Sequence, residues 1–149
     1  MEAVIFIGIP ASGKTTFYRQ RFFETHVRIS LDMLKTRHRE KLLLEACIRA
    51  LQPFVVDNTN VLRDERTLYI RPARAAGFQV CGYFFEPQAG QAIAWNRQRT
   101  GKAAIPVAGL LGKLKHLERP HPDEGFDRLY RVQVHHAAEF KVEKWGPSA

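Results

Sequence analysis

Residues 8–15 read Gly-Ile-Pro-Ala-Ser-Gly-Lys-Thr, and every fixed position of the pattern G-x-x-x-x-G-K-[ST] is filled. Just before them, Ala3-Val4-Ile5-Phe6-Ile7 is apolar and rich in β-branched residues, as a buried strand should be. Just after them, Thr16-Phe17-Tyr18-Arg19-Gln20-Arg21-Phe22-Phe23 can continue as a helix. In that context successive backbone N–H groups wrap a phosphate, and the positive end of the helix faces it. Gly8, Pro10, Ala11, Ser12, Gly13, Lys14, Thr15 and Thr16 are therefore the expected contacts of a nucleotide. Lys14 would reach the β- and γ-phosphates, and the Thr15 hydroxyl would ligate Mg²⁺. The competing reading is a chance glycine turn with a surface lysine.

Outward from this loop, strands and helices alternate. Strands are expected at residues 3–9, 27–30, 54–57, 79–85 and 127–134, with a further edge strand at 139–145. Helices are expected at residues 14–24, 32–51, 63–76, 88–99 and 106–117, and Pro72 should kink or split the third. Residues 100–104 read as a mobile connection. The alternation implies a three-layer α/β fold of the P-loop NTPase type. Its sheet would be mostly parallel and five-stranded, with helices on both faces. Ligands of such sheets bind at the carboxyl ends of strands. That rule brings residues 8–15, 30–32 and 57–60 together.

Asp32 follows the second strand. It could orient an attacking hydroxyl and take its proton, or simply cap the next helix. Asp57 ends the third strand; it could hold Mg²⁺ through water, hydrogen-bond Thr15, or serve as a turn residue. Thr59 and Asn60 could bind substrate or fix their loop. Arg97 and Arg99, before the mobile connection, could neutralise a transferring phosphoryl group or complement a helix C-terminus. Arg63, Arg66, Arg71 and Arg74 fall on one broad helix side, and Lys102, Lys113, Lys115, His116 and Arg119 follow later. Either group could track a nucleic-acid backbone or form solvated surface.

The 149 residues suit one domain spanning 1–149, and at 45% apolar content they should build a core. A net charge of +8 attracts polyanions, nucleic acid first, although an anionic nucleotide alone would favour a basic protein. No apolar run is long enough to span a bilayer, so no membrane association is expected. The first strand begins at once, leaving no room for a secretory leader, and Cys47 and Cys81 have neither metal nor redox spacing. A cytoplasmic protein with reduced core cysteines is expected. The six histidines form no ligand spacing; His135 and His136, adjacent on a strand, face opposite ways. Phe17, Tyr18, Phe22 and Phe23 read as core, and nothing points to an obligate protein partner.

Together these segments resemble the 5′-hydroxyl polynucleotide kinase domain, within the wider AAA-type, zeta-toxin-like group of small P-loop kinases. The phosphate loop, Arg28-Ile29-Ser30-Leu31-Asp32, Val55-Val56-Asp57-Asn58-Thr59-Asn60, Asn96-Arg97-Gln98-Arg99 with Gly101-Lys102-Ala103, and Pro120 with Glu124-Gly125-Phe126 carry the likeness. It implies ATP and Mg²⁺ as cofactors and Asp32 as general base. It also implies a lid near residues 97–119, with Arg99 as its essential arginine assisted by Arg97. The acceptor implied is the 5′-OH of DNA or RNA, bound by Asp32, Lys35, Asp57, Thr59, Asn60 and Arg66. Lys35 stands where some members carry an arginine, which keeps the charge but loses the bidentate fork. Two alternatives are a kinase for a metabolite, nucleoside or antibiotic, and an ATP-binding switch that transfers nothing.

Overall fold

A computed structural model of the chain describes residues 1–87, 107–136 and 138–145. The expected helix at 88–99, the connection at 100–104, Arg97 and Arg99 lie outside the described residues.

Strand β1 (Glu2–Ile7) runs into the glycine turn, and helix α1 (Lys14–Arg21) leaves it. Strand β2 (Val27–Ile29), α2 (Leu31–Leu34), α3 (Arg37–Ala50), β3 (Phe54–Val56), α4 (Arg63–Ala75) and β4 (Gln79–Phe85) follow. After residue 106 come α5 (Val107–His116), a 3₁₀ turn (Pro122–Glu124), β5 (Arg128–His136) and β6 (Glu139–Lys144). The sheet has six strands in the order β2-β3-β1-β4-β5-β6. All its pairs are parallel except β5 with β6, which is antiparallel. The edge strand thus makes the sheet six-stranded.

β1 is buried on both faces, and its alternation divides the core. Ala3, Ile5 and Ile7 pack with Leu44, Cys47, Tyr69, Ile70 and Ala73 of α3 and α4. Val4 and Phe6 pack on the other face with Phe17, Tyr18 and Phe22. Phe6 meets Phe17 and Phe85 at centroid distances of 5.7 and 5.2 Å, within aromatic contact range. Phe23 is 68% exposed and does not join this core as the sequence suggested. It lies after the last helical residue of α1, turned away from the apolar stripe. Cys47 and Cys81 are buried free thiols.

Two other expectations change. The helix expected over 32–51 breaks, because Lys35 has φ 75° and Thr36 restarts the chain as N-cap of α3, accepting from Arg39 N. Conversely, α4 passes through Pro72 unsplit. The ring removes the hydrogen bond to the Leu68 carbonyl, and Leu68 is exposed, so water can serve that group.

After β1 the chain crosses beyond β3 to reach β2, whereas after β3 it crosses over β1 to reach β4. The connections after β1 and β3 therefore run in opposite directions, and a crevice lies at the strand ends where the winding reverses.

Candidate active site

The crevice is a cleft of ≈ 300 Å³ lined by residues 10–15, Leu31, Asp32, residues 57–59 and Lys113. Its floor is the glycine turn. Ala11 and Gly13 adopt positive φ values of 61° and 92°, which fold the backbone back on itself. Glycine takes that conformation freely, whereas at Ala11 it carries strain. The Lys14 ammonium donates to the Gly8 and Ile9 carbonyls, at 3.0 and 2.8 Å, and to Ser12 Oγ at 3.3 Å. Lys14 is only 8% exposed, so its charge is held inside the loop. Gly8 N–H donates to the Thr59 carbonyl at 2.9 Å, tying the loops after β1 and β3 together. A Cβ at Gly8 would lie 2.9 Å from both Phe85 Cβ and Ser12 Oγ, which explains the glycine. Thr16 is exposed and does not line the cleft.

Beside the turn, Thr15 Oγ1 donates to Asp57 Oδ2 at 3.0 Å. The Asp57 side chain is 2% exposed and is also paired with Arg28, whose Nε lies 2.8 Å from the same oxygen. A hydroxyl and a carboxylate meeting beneath a phosphate loop are hard oxygen donors and fit Mg²⁺. Among the described residues no group of three or more His, Cys, Asp or Glu side chains could hold a metal by itself.

Asp32 is exposed at the opposite wall, in the first turn of α2. Four residues cannot hold themselves as a helix, and α2 is fixed from outside. Leu31 N–H donates to Asn58 Oδ1 at 2.9 Å. The Asn58 amide donates in turn to Glu40 Oε2 at 2.8 Å and to the Tyr69 hydroxyl oxygen at 3.2 Å. Tyr69 donates to Glu40 Oε1 at 2.9 Å, and Arg37 Nη1 reaches the same oxygen at 2.9 Å. Burial and the neighbouring Glu40 carboxylate push the Tyr69 phenol well above its ordinary value. Glu40 and Tyr69 are its buried centre, and a buried centre with every group partnered is rigid. It sets the start of the helix that carries Asp32.

The remaining sequence candidates separate. Thr59 lines the cleft. Asn60 is 2% exposed, has φ 47°, and donates to the Phe6 carbonyl at 2.8 Å, so it fixes the loop and does not face a substrate. Arg66 also departs from the substrate reading. It is wholly buried, with Nε and Nη2 on the two Glu124 oxygens at 2.7 and 3.0 Å. Its Nη1 reaches the carbonyls of Asn60 and Glu118 at 2.9 and 3.0 Å. Its fork is spent on joining α4 to the 3₁₀ turn and the segment after α5. Lys35 is exposed beyond α2 and lies outside the cleft lining.

Sequence reasoning missed Arg28, Asn58 and the Glu40–Tyr69 pair. Arg28 carried a signal, as a lone cation in an otherwise apolar strand of three residues. The network carried none, since its members come from three distant segments.

A phosphate loop, a switch-point crevice and a parallel sheet define a P-loop α/β protein. Residues 4–120 match the family described as AAA domain, and the chain belongs to that family. The fold is similar to a gluconokinase from Sinorhizobium meliloti 1021, at 19% identity over 92% of this chain and 85% of that one, with TM-score 0.65. It is also similar to the PezAT toxin–antitoxin system of Streptococcus pneumoniae, at 14% identity over 89% and 68%, TM-score 0.64. A third likeness is to the Mycobacterium tuberculosis APS kinase CysC in complex with AMPPNP and APS, at 18% identity over 92% and 90%, TM-score 0.58. At such identities the likeness establishes the fold. No helix among the described residues is long and apolar enough to cross a membrane.

Proposed function

We propose that this chain is a P-loop phosphotransferase that moves the γ-phosphoryl group of ATP to a hydroxyl of a small molecule. The observation that carries the reading is that Asp32 shares one cleft with the phosphate loop. In the transfer, the Asp32 carboxylate receives the acceptor's hydroxyl proton while the oxygen bonds to the γ-phosphorus. The bond from that phosphorus to the β–γ bridging oxygen breaks, and ADP leaves. Lys14 supplies positive charge to the phosphates. Thr15 and Asp57 would hold Mg²⁺, which would neutralise phosphate charge. Arg97 and Arg99, outside the described residues, are the proposed source of further cationic support.

Two observations favour a small acceptor over a polynucleotide. The structures of similar fold include a gluconokinase and an APS kinase. Arg66, one of the arginines that could track a nucleic-acid strand, is wholly buried on Glu124 and out of reach of one. A second reading, the 5′-OH of DNA or RNA, draws on the net charge of +8 and on the segment resemblance. Incubation with γ-³²P-ATP and Mg²⁺ separates them. One arm holds sugars, sugar acids, nucleosides and aminoglycosides; the other holds 5′-hydroxyl oligonucleotides. Label in the first arm is expected. Label confined to the second establishes the polynucleotide reading, and inorganic phosphate alone in both arms overturns the transferase.

A further inference from the structure

We propose that Arg28 is a positioning residue of the cation site, an internal counter-charge whose guanidinium contends with a divalent metal for the Asp57 and Thr15 oxygens. Metal loading is then an exchange and not a simple addition. Val27 and Ile29 lie against the core shared with α3. Alternation along the strand turns Arg28 to the opposite face, toward α1. There three side chains meet, two of them on one carboxylate oxygen. Arg28 Nε lies 2.8 Å from Asp57 Oδ2, Thr15 Oγ1 lies 3.0 Å from the same oxygen, and Arg28 Nη2 lies 3.4 Å from Thr15 Oγ1.

The Asp57 side chain is 2% exposed, and so buried a carboxylate requires a cation beside it. Arg28 meets that need by reaching the same two groups whose oxygens fit Mg²⁺. Its own side chain is 24% exposed, so it has a solvent-facing path along which to withdraw. The proposal rests on the Thr15–Asp57 metal reading and not on the acceptor.

Binding of Mn²⁺ with ADP, followed by electron paramagnetic resonance, tests it. Arg28→Met should bind Mn²⁺·ADP about tenfold more tightly than wild type, the loss of one competing charge-assisted hydrogen bond. Arg19→Gln removes one exposed charge from the last turn of α1 and should leave Mn²⁺ affinity at the wild-type value. In EDTA, Arg28→Met should melt below wild type, and Mg²⁺·ADP should raise its Tm by more than it raises that of wild type. Should Arg28→Met fail to fold, the wild-type Arg28 Nε–H resonance decides. It should shift on addition of Mg²⁺·ADP and not on addition of ADP in EDTA. Equal or weaker Mn²⁺ affinity in folded Arg28→Met, equal tightening in Arg19→Gln, or an unmoved Nε–H resonance each overturns the exchange. Since none of these readouts involves phosphoryl transfer, their failure is distinct from failure of the transferase reading.

Discussion

Arg66→Ala should destabilise the protein severely without any direct contact to a substrate. The guanidinium is fully buried, and its Glu124 partner is 3% exposed at the side chain. Removing one member of so buried a pair leaves the other charge uncompensated, a cost of about 3–5 kcal/mol. The Asn60 and Glu118 carbonyls lose their donor as well, adding roughly 1 kcal/mol for each that water cannot reach. The sum, about 5 kcal/mol, is comparable with the whole stability of many domains, about 5–15 kcal/mol. Urea unfolding followed by far-UV circular dichroism should show the midpoint lowered by about 2 M or more, or no folded baseline at all. Arg66→Met/Glu124→Leu removes both charges and should recover much of the loss. A cost below about 1 kcal/mol for Arg66→Ala, as for an exposed pair, would mean that the Arg66–Glu124 pair is not buried in solution. Full stability with lost acceptor binding would return Arg66 to the substrate site.

Two further outcomes follow from packing and ionisation. A Cβ at Gly82 would sit 2.7 Å from both Leu129 Cδ1 and Phe126 Cε1, so Gly82→Ala should cost about 1–3 kcal/mol in chemical denaturation; wild-type stability would mean the β4–β5 face is looser than described. Burial, with Glu2 next, pushes the Cys81 thiol up to about 11, and burial pushes the Tyr83 phenol up to about 12. The unfolded chain therefore releases these protons at lower pH than the native one, and stability should fall as pH rises from about 9 toward 11. Thermal melts across that interval check it; a Tm that is flat or rises, corrected for the same buffers, contradicts the assignment.

The phosphate loop was legible because its chemistry is local: residues 8–15, one strand and one helix contain the whole device. The coming together of Asp32, Asp57 and Thr59 was legible too, since each follows a strand of a parallel sheet. Arg66 was not. An arginine inside a helix reads as solvent-facing, and its burial depends on Glu124, 58 positions later in the chain. The break at Lys35 escaped for a different reason. Residues 35–41 are all polar, so no apolar spacing there marks either a continuation or a break, and only the cap at Thr36 marks a restart. Arg28 shows the reverse lesson: a cation in a short apolar strand was a visible anomaly that asked for a buried acid.

We propose that Asp32 serves the attacking hydroxyl while the glycine turn holds the nucleotide independently. Asp32→Asn separates the two roles when ATP affinity and phosphoryl transfer are measured side by side, using whichever acceptor the labelling panel identifies. ATP affinity should stay within about threefold of wild type, since the amide adds no charge near the phosphates, and transfer should fall by about 100-fold or more. Transfer at the wild-type rate would remove Asp32 from the reaction.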